Sequence, residues 1–182
     1  MLRPEKRFGF KERYDDPPYA GYDDVATPPF MFDGSVDGRL PATARVVAVS
    51  ENDAEVAYPY KLLAETKVIN DRIGRSDIVI FFDDDTLSPF LSSTGSSTTG
   101  GSAVAFHRTV NGLQLTFRRD ESEFVDLETG SHWNLLGRAV SGELEGLTLQ
   151  AIKHSNEFWF AWTVFHPDTE LRVDLPQLPR AD

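Results

Sequence analysis

Apolar and polar positions alternate in short runs along most of the chain, a pattern of many brief strands rather than long helices. Residues 45–49 and 55–57 read as strands separated by a hairpin-like turn at Glu51-Asn52-Asp53. Pro59 suits the first turn of a short helix carrying Leu62, Leu63 and Ala64. Val68-Ile69-Asn70-Asp71 leads to a turn at Gly74, and residues 77–82 read as a buried strand. A long loop follows over 83–101, with the tract LSSTGSSTTGGS. Asn111-Gly112 lies between the runs 103–108 and 113–118, which predicts a hairpin pairing them, with positive φ at Gly112. Further short strands are expected at 123–126, 133–136 and 147–152. Ser155 is placed to cap a helix over 156–165, closed by Pro167. Phe158, Trp159, Phe160, Trp162 and Phe165 make that helix apolar almost all round, so burial on more than one face is expected.

These elements predict an α+β, β-rich domain over 44–175. It has mostly antiparallel sheet, or a partly closed barrel, and one buried aromatic helix. Residues 176–182 form a tail. Residues 1–43 break the periodicity with Pro4, Pro17, Pro18, Pro28, Pro29 and Pro41 and read as a proline-rich arm. Its aromatics Tyr14, Tyr19, Tyr22, Phe30 and Phe32 suit packing on the domain or on a partner, so a homo-oligomer or protein partner is expected to engage residues 1–43.

Composition narrows the function classes. The 182 residues contain no cysteine, which excludes disulfides, thiolate metal sites and a cysteine nucleophile. The net charge of -11 argues against nucleic-acid and anionic-membrane partners, both of which need a basic footprint. Arginine outnumbers lysine thirteen to five and Asp outnumbers Glu, a balance that suits a salt-rich cytoplasm or a GC-rich genome. No run has the length of a membrane span. The expected location is cytoplasmic for the chain as it stands, and extracytoplasmic if an export segment has been removed.

Three blocks resemble the bacterial and archaeal family called domain of unknown function 3179. The first is Ala57-Tyr58-Pro59-Tyr60 with Leu63, followed by Val68-Ile69-Asn70-Asp71. The second runs over 102–108, with Asn111-Gly112 and Leu115-Thr116-Phe117. The third contains Thr129-Gly130-Ser131, Trp133, Gly137, Ala139, Gly142, Gly146, Leu149, Trp159, Trp162 and Pro167-Asp168-Thr169. The resemblance covers residues 44–172. Many members carry C-P-L-C after the buried strand, where this chain has Asp83-Asp84-Asp85-Thr86, and a His-Glu pair where it has Thr66-Lys67. The F-W-F-A-W sequence is similar to that of a cysteine-free branch. The resemblance implies no known substrate.

Candidate chemistry is sparse. The 95–102 tract has phosphate-loop glycine spacing, but Gly101 stands where that loop needs lysine. Asp83-Asp84-Asp85 lacks the glycine of a calcium loop. His107, His132, His154 and His166 show no paired metal-ligand spacing, although His154 and Glu157 would share a face if the helix began early. Ser131 beside His132 has no nucleophile-elbow motif around it. No metal and no cofactor is expected. The leading expectation is a non-catalytic binding or accessory module, with a small ligand contacting Tyr58, Asn70, Asp71, Trp133, His154 and Trp159. The alternatives are a hydrolase-like enzyme using Asp71, His132 and His154, and an assembly subunit docking through its arm.

Overall fold

The runs at 46–49 and 78–82 are apolar at every position because their strands are buried on both faces. The computed structural model describes residues 29, 32–85 and 100–174. One four-stranded sheet has the order β12-β1-β2-β13, from β1 (Arg45–Glu51), β2 (Ala54–Pro59), β12 (His154–Phe158) and β13 (Glu170–Leu171). Its pairs are antiparallel except β13 with β2. A second sheet, order β3-β4-β5, contains β3 (Val68–Ile73), β4 (Ser76–Asp83) and β5 (Ser102–His107). A third, order β11-β10-β9-β8, contains β8 (Phe117–Asp120), β9 (Glu123–Asp126), β10 (His132–Trp133) and β11 (Ala139–Ser141). A small ribbon pairs β6 (Thr109–Val110) with β7 (Leu113–Gln114). The two helices are α1 (Tyr60–Thr66) and α2 (Trp159–Phe165). The fold is α+β and β-rich, mostly antiparallel, with no closed barrel among the described residues.

Strand alternation sorts the apolar side chains into three interfaces. Val47 and Val49 of β1 face Ile78, Ile80 and Phe82 of β4, with Tyr60 and Leu63 of α1 in the same cluster. Val46 and Ala48 point the other way, onto Trp159 and Trp162 of α2. Val79 and Phe81 of β4 join Phe117, Phe124 and Trp133 of the third sheet. The order of layers is therefore α2, first sheet, second sheet, third sheet. At the centre of the last interface Phe81 stacks on Phe124 with ring centroids 4.0 Å apart. Side-chain amides also lock layers together. Asn70 on β3 donates to Phe117 O at 2.8 Å and accepts from Phe117 N at 2.9 Å, tying the second sheet to the edge of the third.

Four elements depart from the expectation, the first being 133–136, where only Trp133 lies in a strand and the chain then turns. Ser155 caps no helix, because β12 runs from His154 to Phe158 in register with β1 and the helix starts at Trp159. Five residues of ladder pairing outweigh the local capping signal. The first N–H groups of α2 are met instead by the chain before β1: Trp159 N donates to Ala44 O and Phe160 N to Ala42 O. The last turn of the helix is open, with Val164 49% and Phe165 81% exposed. At Asn111-Gly112 both residues have positive φ, 49° and 81°, as a compact hairpin turn requires. The ladder there spans only Thr109–Val110 and Leu113–Gln114; residues 103–107 pair with β4 and 117–120 with β9. Arg108 ends the ribbon by turning its buried guanidinium onto Leu115 O at 2.7 Å. Finally, residues 147–152 contribute isolated bridges, Thr148 to Arg138 and Ala151 to Phe106, and no strand.

The end of the segment before β1 lies against α2. Trp159 Nε1 donates to Asp37 O at 3.1 Å, Arg39 sits 5.1 Å above the Trp159 ring, and Phe32 packs on Phe160 at 5.1 Å. Residues 1–28, 30, 31, 86–99 and 175–182 lie outside the described residues, and with them most of the arm, most of the glycine-serine tract and the tail. No helix among the described residues is long and apolar enough to cross a membrane.

Candidate functional site

The T-G-S-x-W block builds a turn around one buried carboxylate. Asp126 is fully buried at the end of β9. Its Oδ1 accepts from Thr129 N at 2.6 Å and its Oδ2 from Trp133 Nε1 at 2.9 Å. Thr129 Oγ1 lies 2.8 Å from Oδ1 and 2.7 Å from Ser131 Oγ, which accepts from Leu144 N at 3.0 Å. Ser131 is thus buried and committed to backbone order. His132, next to it, turns outward and pairs with Glu123 at 2.8 Å.

A second buried network joins Tyr58, Asp71 and Arg172. Tyr58 donates its hydroxyl to Asp71 Oδ2 at 2.7 Å, and Arg172 Nε meets the same oxygen at 3.2 Å. Arg72 N donates to Oδ1 at 2.7 Å. Burial, then the Asp71 charge, pushes the Tyr58 phenol far above its ordinary value. Burial alone would lower the Arg172 guanidinium, but Asp71 and Glu170 outweigh it and the net shift is upward. This triad fixes the chain after β13 to the first two sheets.

Of the residues expected to contact a ligand, Tyr58 and Asp71 are brought together, while Asn70, Trp133, His154 and Trp159 have separate partners. His154 Nδ1 lies 2.8 Å from Ile152 O. His154 and Glu157 are three apart on a strand, so they point to opposite faces. Among the described residues no hydrogen bond or ion pair joins any two of Asp71, His132 and His154. The carboxylates of Asp83, Asp84 and Asp85 lie within 4.8 Å of one another. Protein cations already answer them: Lys67 Nζ is 2.6 Å from Asp84, and Arg119 is 3.8 Å from Asp83. Lys67 holds the Asp84 carboxyl below the usual carboxylate range.

Open space lies elsewhere. A cleft of about 890 Å³ runs between α1, the approach to β1 and the end of β4. Leu40, Pro41, Leu62 and Val173 line its sides, with Tyr60 and Phe82 between them. The last two rings meet edge to face at 5.2 Å and 84°. Arg45 lies 4.3 Å over the Tyr60 ring, and its guanidinium donates to Gly100 O and to Tyr60 OH. Tyr60 OH in turn donates to Asn156 Oδ1 at 2.6 Å. Gly101 has a φ of 65°, and a Cβ there would collide with the Phe82 ring, so the backbone approaches the ring as only glycine allows. None of the six residues expected to contact a ligand lines this cleft. The residues that do come from five separate segments. The one sequence signal for them is Tyr60, the second tyrosine of Tyr58-Pro59-Tyr60.

Burial raises the Tyr60 phenol as well, against the opposing charge of Arg45. Both tyrosines therefore hold their protons in the folded protein at pH values where the unfolded chain loses them. Their contribution to stability is intact below the ordinary tyrosine pKa of about 10 and falls as pH rises above it. Denaturant midpoints measured from pH 8 to 11 should decline above pH 10. Tyr58→Phe should flatten that decline; an unchanged slope would show that the Tyr58 phenol does not contribute to it.

The layered β-rich domain with an apolar cleft at one end defines the class: a small α+β protein whose polar core groups are spent on structure. The chain belongs to the family described as Protein of unknown function (DUF3179), whose model matches residues 2–169. The match takes in nearly all of residues 1–43, which the quoted motifs did not reach. No curated protein and no solved structure matches the chain.

Proposed function

We propose that the protein is a non-catalytic binding module and that its small-molecule ligand occupies the cleft beside α1. The observation that carries this reading is the cleft itself. Its volume of about 890 Å³ falls in the range of small-molecule sites, and a mostly apolar lining with a few convergent polar groups is their usual character. The alternative, hydrolysis by Asp71, His132 and His154, has less support. Catalysis needs a nucleophile, a base and an orienting group within hydrogen-bond reach, and these three have no bond in common. The assembly reading draws on Phe165, exposed beside Val164 at the end of α2, but the described segment 32–43 is already spent on the chain's own helix.

A thermal-shift screen with small amphiphilic compounds tests the proposal. Ala64 is exposed on α1 and lines the cleft, so Ala64→Trp fills the space without entering the core. Compounds that raise the melting temperature of the native protein should leave that of Ala64→Trp unchanged. A shift that survives the substitution would move the site elsewhere. Turnover of an ester, amide or phosphate substrate, lost in a folded Asp71→Asn protein, would replace binding by catalysis.

A further inference from the structure

Resting on the cleft as the ligand site, we infer that the ligand is a small organic anion, an apolar body bearing a carboxylate that Arg45 receives. Among the described arginines, Arg39, Arg72, Arg108, Arg118, Arg119 and Arg172 each lie within 3.8 Å of a carboxylate. Arg75 and Arg138 have no such partner but stand exposed to water. Arg45 is half-buried, lines the cleft, and among the described residues has only neutral partners: the Gly100 carbonyl, the Tyr60 hydroxyl and the face of the Tyr60 ring.

A half-buried guanidinium that no described carboxylate answers stands out in a protein that carries a net charge of -11 and has carboxylates in excess, because partial desolvation without a counter-charge is costly. Two of its N–H groups are used, and the others have no protein partner among the described residues. The Tyr60 ring and the Gly100 carbonyl fix the plane of the guanidinium, which leaves a preorganised fork for an anionic oxygen pair. The other charged lining residues are Lys61, Glu65 and Asp84. Lys61 is a second cation at the rim, and the Asp84 carboxylate is neutralised by Lys67. Glu65 is exposed on the outer turn of α1. The walls, Leu40, Pro41, Leu62, Phe82 and Val173, offer hydrophobic contact to the body of the ligand. An inorganic anion would leave those walls bare, so the body is part of the recognition.

The test is calorimetric titration of the full chain with 3-phenylpropionate, 3-phenylpropionamide, phenethylamine and inorganic phosphate. The carboxylate should bind at least about tenfold more tightly than the amide, as expected when a charge-assisted hydrogen bond replaces a neutral one. The amine should bind more weakly still, and phosphate alone should not bind. Arg45→Gln should bring carboxylate and amide to within about twofold of each other by weakening only the carboxylate. Arg75→Gln, a change at an exposed arginine outside the cleft, should preserve the preference. Equal affinity of the native protein for carboxylate and amide would overturn the inference even if Arg45→Gln fails to fold. A preference that persists in folded Arg45→Gln would overturn it too, and tight phosphate binding would show a plain anion site. Binding without any charge preference would leave the cleft reading standing. No binding by any of the four at millimolar concentration would overturn both.

Discussion

Asp126→Ala should cost about 3–5 kcal/mol of folding stability, because it leaves the buried Trp133 indole N–H and the half-buried Thr129 amide without their acceptor. The indole forfeits its hydrogen bond inside the core, and the loss of the carboxylate leaves a void at the end of β9. Asp126→Asn should cost less, since it keeps the shape and one carbonyl acceptor. Chemical denaturation of the three proteins measures the effect. A loss below about 1 kcal/mol would show that the turn does not depend on the carboxylate. The T-G-S-x-W block would then need another explanation, a functional one included.

Trp159→Ala should cost a similar amount, about 3–5 kcal/mol. Its indole is fully buried between Val46, Ala48 and Ala57, and its N–H closes the contact with Asp37 O. Truncation opens a cavity between α2 and the first sheet and frees the segment before β1. Phe165→Ala is the control on the same helix, and its change should stay within about 0.5 kcal/mol because that ring faces water. If the two substitutions cost the same, α2 does not pack on the first sheet in the way the structure places it.

The sequence reported the strands well where burial is two-sided. Residues 46–49 and 78–82 are apolar at every position because each strand serves two interfaces, and that signal survives without any knowledge of topology. The turns at Asn52-Asp53 and Asn111-Gly112 were equally legible, since positive φ at these positions favours few residue types. Pairing partners were not. The run at 103–107 was expected to pair across Asn111-Gly112, yet it lies along β4, a choice made by long-range packing that a local pattern does not encode. The boundary of the aromatic helix failed for the same reason. His154 and Asn156 carry no helix or strand bias strong enough to compete with the ladder on β1.

The cleft was the least legible feature. Arg45, Tyr60, Phe82 and Gly101 are adjacent in space, but 15 to 22 residues separate each from the next in the chain. Nothing in their spacing announces a site. The aromatics and acids near the family motifs attracted attention instead. Tyr58, Asn70, Asp71 and Trp133 prove to be bonded to other core groups or to backbone, which accounts for a sequence pattern without requiring a ligand.

The measurement that bears most directly on the binding reading is an amide chemical-shift map of the ¹⁵N-labelled chain during titration with 3-phenylpropionate. The account predicts saturable shifts concentrated at Arg45, Tyr60, Leu62, Phe82 and Gly101, the backbone that surrounds the cleft. Shifts concentrated instead around Asp71, His132 and His154, or around Trp133, would contradict it and return the search to those residues.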